Sequence, residues 1–310
     1  MAISVTEPIG WAFTRMGRML FKPFDIRKWF VLGFCAWLAQ LSEGRGVNFN
    51  PGGWRPGGRG GNGPRPFGPV LEWGREHIGL VILLAVVVFL VMVAVGLVIL
   101  WLSSRGKFMF VDGVVRNRGA VVEPWHRFRA LGDSLFWFRL VLGAGGLMVL
   151  ALIVAGGVGI AWPDIRAEEF GGSALAALLV SVLLFSLAIL CLGLIAAVLE
   201  DFVVPVMYVR GVRTLAAWGG FRRELLPGRF WTFVLFYLMK FILGIGVVVI
   251  AMLATCLTCC LAALPYLGTV ILLPVFVFMR LYSLHFLEQF GPEWRFFPPV
   301  VELSPAEGGT

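Results

Sequence analysis

GLVILLAVVVFLVMVAVGLVILWL, residues 79–102, decides the class of this protein. The stretch holds 24 residues with no charge and no proline. As a helix rising 1.5 Å per residue it reaches about 36 Å, enough to cross a hydrocarbon core about 30 Å thick. A barrel strand would need only about ten residues, alternating apolar and polar. The stretch is therefore read as a transmembrane helix.

Working outward, five further apolar runs are read as spans, at 27–42, 139–161, 174–199, 241–263 and 265–287. The fifth and sixth are separated by little more than AALPYLG, which predicts a tight helical hairpin. Composition agrees: only 14% of the 310 residues are charged and mean hydropathy is +0.89, whereas soluble domains carry about 25% charged residues. The expected fold is all-α, a polytopic transmembrane helix bundle of about six spans. It forms a single integral membrane domain over 1–290, with an amphipathic segment at 1–26, a flexible Gly/Pro/Arg-rich extracytoplasmic loop at 43–70 and a short cytoplasmic tail at 291–310.

No cleavable signal sequence is read, because the first apolar run follows a long basic stretch. All five cysteines lie in apolar runs, and an odd number there argues against a disulfide framework. The net charge of +8 is concentrated beside the spans rather than in a nucleic-acid-binding face. Lys and Arg number 17 on the side holding the N-terminus and the 103–134 and 200–229 loops, against 6 on the other. Both termini are thus expected in the cytoplasm, with the chain in a bacterial inner membrane.

Segment 116–142 resembles segment 208–238: Arg118-Gly119 answers Arg210-Gly211, Trp125 answers Trp218, and Phe136-Trp137 answers Phe230-Trp231. The N-terminal stretch follows the same plan. Three parallel units, each a basic amphipathic segment followed by an outward and a returning span, would account for the chain. The interfacial basic residues of these units are Arg15, Arg18, Lys22, Arg116, Arg118, Arg210, Arg213, Arg222 and Arg223. In 9–22, Ile9, Ala12, Phe13, Met16 and Leu20 share one face opposite the cations, which suits a helix lying on an anionic leaflet or a docking face for a protein partner.

Polar chemistry concentrates in LEDFVVPVMYVRG, 199–211. Glu200 and Asp201, with Lys240, Arg280, His285 and Glu288, form a candidate polar cluster at the cytoplasmic face. Interfacial ion pairing competes with a functional role, since none of these need reach the bilayer midplane. In the repeat alignment Lys107 falls near the position of Glu200, and the acid pair is read as a junction able to bind a neighbouring Arg or Lys. CLTCC, 256–260, presents three cysteines but no neighbouring His or acid, so helix contact is preferred to a metal site. The glycines of the third span, Gly146 and Gly157 among them, suit close helix packing. No nucleophile elbow, Walker loop or dinucleotide fingerprint is present, and no catalytic residue, cofactor, metal or nucleic-acid partner is expected.

LEDFVVPVMYVRG, WGGFRRELLPGRFW and FVLFYLMKFIL together resemble uncharacterised bacterial multi-pass inner-membrane families over about residues 100–290. These are broadly similar to the membrane domain preceding the catalytic domain of some glycerophosphodiester phosphodiesterases. No catalytic domain follows here, so the resemblance implies no hydrolase activity and carries over no catalytic residue. The functional expectation is a non-enzymatic scaffold or accessory subunit, bound to anionic lipid and to a protein partner or further copies of itself. The alternative is a small transporter or channel for a polar or anionic solute.

Overall fold

The computed structural model describes residues 3–43, 77–167, 171–258 and 264–297. Residues 44–70 of the Gly/Pro/Arg-rich loop, Cys259 and Cys260 of CLTCC, and residues 298–310 of the expected tail lie outside the described residues. All regular structure among the described residues is helical. The helices are α1 (Glu7–Phe21), α2 (Ile26–Gln40), α3 (Ile78–Arg116), α4 (Val122–Arg127), α5 (Arg129–Ala167), α6 (Gly172–Val198), α7 (Val204–Arg210), α8 (Thr214–Gly220), α9 (Phe230–Leu257), α10 (Pro265–Ile271) and α11 (Leu273–Glu288).

Helix α3 runs 39 residues, about 58 Å at 1.5 Å per residue. Its sequence changes character at Ser103-Ser104-Arg105, and its environment changes there too. Residues 78–98 face outward on every side, while Ser103 to Val114 are buried. An apolar helix with no protein neighbour suits hydrocarbon, where no hydrophobic gain follows from hiding it. The long helices α5, α6 with its continuation to Arg210, and α9 share this division into an exposed apolar stretch and a packed end. Among the described residues these four have the length and apolarity to cross a membrane.

The runs expected as first and sixth spans are built differently. Helix α2 has 15 residues, about 22 Å, too short for a hydrocarbon core. It lies antiparallel along the polar half of α3: a Cβ on Gly106 would stand 2.8 Å from the Leu38 and Ala39 backbone, and one on Gly113 would stand 2.6 Å from Leu32. Its C-terminal end therefore meets the inner end of α3's apolar stretch, where an outward span would have ended on the far side. The run 265–287 is divided at Leu272 into α10 and α11, because Pro274 in the first turn of α11 has no amide hydrogen to continue the ladder. Helix α10 closes on α2, with Trp29 Nε1 donating to the Val270 carbonyl at 2.8 Å.

Helix α1 also departs from expectation. Ala12, Met16, Met19 and Leu20 are buried, whereas Phe13 is 65% exposed. Its apolar side packs along α11 rather than forming one lipid-facing stripe with Phe13. Gln289 ties the N-terminus down by accepting from the Ser4 amide at 2.7 Å and donating to the Ser4 carbonyl at 2.8 Å.

Between the packed ends lies an aromatic core. Phe202 sits 5.0–5.5 Å from Phe221, Phe233 and Phe236, and Phe236 stacks on Tyr282 at 5.0 Å. Such ring pairs contribute about 0.5–1.5 kcal/mol each beyond area burial. The hairpin of α5 and α6 closes on glycines: Cβ atoms on Gly146 and Gly157 would meet Leu192 at 2.9 Å and Ser181 at 2.3 Å. Twice among the described residues a long helix ends in a left-handed residue, Asn117 (φ 53) or Gly211 (φ 65), followed by a short helix and another long one.

Candidate functional site

The acid pair of LEDFVVP sits in a π turn, Leu199–Val203, that joins α6 to α7. Pro205 explains its place. Having no amide hydrogen, Pro205 leaves backbone carbonyls one turn earlier without their helical partner. The Glu200 carbonyl instead accepts from Arg280 Nη1 at 2.8 Å, and Arg280 Nη2 reaches the Glu200 carboxylate at 3.3 Å. One arginine of α11 thus recognises both the backbone and the side chain of the π turn.

Glu200 carries a second cation. Lys107, inside the packed half of α3, lies 3.1 Å from Glu200 Oε2 and also contacts the Glu43 carboxylate just past α2. Burial, and then the charge of Glu200, hold the Glu43 carboxyl above the ordinary carboxylate range despite Lys107. Asp201 faces the other way, toward Lys240 of α9, and accepts from Ser283 Oγ at 3.0 Å. Asp201 Oδ2 and the Tyr237 hydroxyl are buried with no hydrogen-bond partner among the described residues. Above Lys107, Arg139 of α5 donates to Ser42 at 2.8 Å, and Ser42 donates to Ser103 at 2.8 Å. Six segments of the chain therefore meet in one polar junction, where α3, α6 and α9 leave their apolar stretches.

A second polar group lies farther along α3. Asp112 is fully buried and binds Arg116 at 3.1 Å, Arg118 at 3.0 Å and the Tyr208 hydroxyl at 3.0 Å. Arg118 also grips Glu123 with two hydrogen bonds, at 2.7 and 2.9 Å, which hold that carboxyl below its ordinary value. A third contact pins α5 to α3: Arg105 binds Asp133 at 2.8 Å, and Trp101 stands beneath its guanidinium at 4.2 Å.

Of the six residues expected to cluster, Glu200, Asp201, Lys240 and Arg280 converge. His285 and Glu288 form their own pair at 2.9 Å, and the other Glu288 oxygen accepts from the Phe296 and Phe297 amides at 3.0 Å. Spacing along α11 accounts for this separation, because His285 lies more than one helical turn beyond Arg280. Among the nine basic residues, Arg116, Arg118 and Arg210 hold carboxylates, Arg210 gripping Glu224. Arg15 lies over the Phe297 ring at 3.5 Å. Arg18, Lys22, Arg213, Arg222 and Arg223 are exposed.

Glu43, Ser42 and Ser103 were not singled out from the sequence, nor were Asp112 and Tyr208. Only the i, i+4 pair Asp112–Arg116 carried a local signal. Among the described residues no three His, Cys, Asp or Glu side chains gather as metal ligands would. Chemically the junction neutralises charge: each acid faces a cation. Two clefts lie elsewhere, one of about 410 Å³ beside α8 and one of about 770 Å³ between α1, α4 and the C-terminal segment.

No curated protein and no solved structure matches the chain. Nothing in the comparisons links it to the membrane domain of glycerophosphodiester phosphodiesterases. The model of a family of unknown function, DUF7544, matches residues 3–273, and the chain belongs to that family.

Proposed function

We propose that the protein is a non-enzymatic integral membrane scaffold or accessory subunit of a bacterial inner membrane, with its basic packed end at the cytoplasmic leaflet. The observation that carries this reading is the polar junction. Lys107, Arg280 and Lys240 are each bound to an acid, and neither cleft is lined by any of them. A transport path would leave such groups facing water along the permeation route. Ion pairs packed among helix ends instead fix how those helices meet.

Orientation follows from where the cations lie. The packed ends of α3, α5, α6 and α9 carry the basic 103–134 and 200–229 segments, which the excess of Lys and Arg assigns to the cytoplasm. Both ends of the described chain pack there: Arg15 meets Phe297, and Arg210 lies over Trp294 at 4.1 Å. We assign both termini to the cytoplasm on this ground. The recurring order of long helix, left-handed cap, short helix and long helix supports a parallel repeat for the second and third units. Helix α2, only 15 residues long and packed on the polar half of α3, does not follow it.

The scaffold reading expects a stable protein partner or a homo-oligomer. Crosslinking in native membranes followed by affinity capture of the full chain tests it. A reproducible partner, or a crosslinked multimer of this chain, is the expected result; a protein consistently recovered alone overturns the reading. The transport alternative draws on one observation, the unpartnered Asp201 Oδ2 and Tyr237 hydroxyl beside Lys240. Ion or solute flux in proteoliposomes containing the purified chain would favour it.

A further inference from the structure

The cleft of about 770 Å³ gathers cations from distant parts of the chain. Arg15 comes from α1, Arg116 and Asn117 from the end of α3, Arg127 from α4, Tyr208 from α7 and Arg295 from the segment after α11. Its remaining wall includes Phe128 and Phe296, and no carboxylate is among its lining residues. Sequence distance makes this convergence a product of the fold rather than of one basic stretch.

Neighbouring acids pair with Arg116 and leave Arg15, Arg127 and Arg295 outside any ion pair among the described residues. Buried Asp112 already binds Arg116, Arg118 and Tyr208. Glu123 is held by Arg118, with Arg116 at 3.9 Å. Glu288 spends its oxygens on His285 and on the Phe296 and Phe297 amides. Among the described residues, Arg15, Arg127 and Arg295 make no ion pair. Arg15 lies against Phe297, and Arg127 lies 5.4 Å from the Phe128 ring centre. Guanidinium groups that outnumber the carboxylates around them repel one another, and an anion filling the space between them relieves that repulsion. Their planar forks match phosphate oxygens in pairs.

We propose that this cleft binds an anion carrying two or more phosphate charges, either on a lipid headgroup or free in solution. Three guanidiniums outside any ion pair, with Arg116 beside them, call for more charge than one monoester supplies. The aromatic wall leaves room for an organic body beside the phosphates. The proposal goes beyond the scaffold reading and does not depend on it, since binding is measured on the purified chain without any protein partner.

The test uses the full-length protein and two probes. In detergent it is titrated calorimetrically with inorganic pyrophosphate. In nanodiscs, retention of lipid is compared between phosphatidylcholine alone and phosphatidylcholine containing 20% cardiolipin, followed by native mass spectrometry. The variant Arg127→Gln with Arg295→Gln alters two exposed side chains, and a control Arg222→Gln with Arg223→Gln removes equal charge outside the cleft. The expected result is saturable binding of at least one probe, weakened tenfold or more in the cleft variant and less than threefold in the control. Pyrophosphate binding identifies a free ligand; cardiolipin retention without it identifies a headgroup. Binding of neither probe overturns the proposal, as does equal loss in both variants. Partner capture that persists in the cleft variant leaves the scaffold reading standing, which separates the two outcomes.

Discussion

Lys107 of α3 and Glu200 of the π turn meet at 3.1 Å, with Glu43 on the same ammonium and Arg280 on the same carboxylate. Through these two residues the ends of α2 and α6 are joined to the packed half of α3 and the middle of α11. Charges buried together gain little over well-packed apolar groups, yet removing one member leaves its partners uncompensated. Lys107→Met is therefore expected to destabilise the protein by about 3–5 kcal/mol. Adding Glu43→Gln and Glu200→Gln to that variant should recover part of the loss. Thermal unfolding in detergent, followed by tryptophan fluorescence, measures both; a single variant as stable as the parent would contradict the pairing.

The acid pair is expected to matter for assembly before anything else. Glu200→Gln combined with Asp201→Asn removes the partners of Lys107, Arg280 and Lys240 together. Membrane levels and the yield of monodisperse protein should fall severalfold, as quantitative immunoblotting and size-exclusion chromatography would show. Normal levels and normal assembly, accompanied by lost solute flux, would instead assign the pair to transport.

Gly106 is where α2 and α3 come closest. A side chain there would press on the backbone at Leu38 and Ala39, which has no rotamer by which to yield. Gly106→Val should cost about 1–3 kcal/mol. Gly143→Val, where a Cβ meets nothing within 4 Å, should leave the unfolding midpoint nearly unchanged. Equal effects of the two substitutions would argue against the close α2–α3 contact.

Acid should weaken the Arg118–Glu123 contact in a defined direction. Hydrogen bonds from Arg118 lower the Glu123 carboxyl below its ordinary value of 4.5. A lowered folded-state value means that the contact stabilises the fold fully above pH 4.5 and ceases to as pH falls through the folded value. The pair is exposed, so the effect is small. The difference in unfolding midpoint between wild type and Glu123→Gln should shrink from pH 7 toward pH 3; a difference that grows on acidification contradicts the assignment.

How much of this was legible in the sequence depends on range. The apolar half of α3 is plain because hydropathy is a local property, and the same holds for the long runs in α5, α6 and α9. Hydropathy does not distinguish an apolar helix facing lipid from one packed against protein, so α2 and the α10–α11 run read as spans. The 15-residue length of α2 and the break before Pro274 set these two runs apart from the four helices long and apolar enough to cross a membrane. The LEDFVVP stretch carried a readable polar signal, and repeat alignment gave Lys107 the corresponding place in the preceding unit without foreseeing their contact. Glu43, the hydroxyls of Ser42 and Ser103, and Asp112 with Tyr208 needed tertiary contacts between segments far apart in the chain. The arginine cleft was legible only as basic residues along amphipathic segments. No periodicity shows that Arg15, Arg127 and Arg295 converge.

Whether water reaches the charged junction decides between a closed packing element and an aqueous path. Ser283 is fully buried and donates to Asp201, so a thiol at this position reports from inside the junction with little change in volume. Ser283→Cys, placed in a background with all five native cysteines replaced by alanine, is treated in sealed vesicles with a membrane-impermeant charged thiol reagent from each side in turn. The closed junction predicts labelling from neither side until the protein is denatured, and rapid labelling of the folded protein from either side would contradict it.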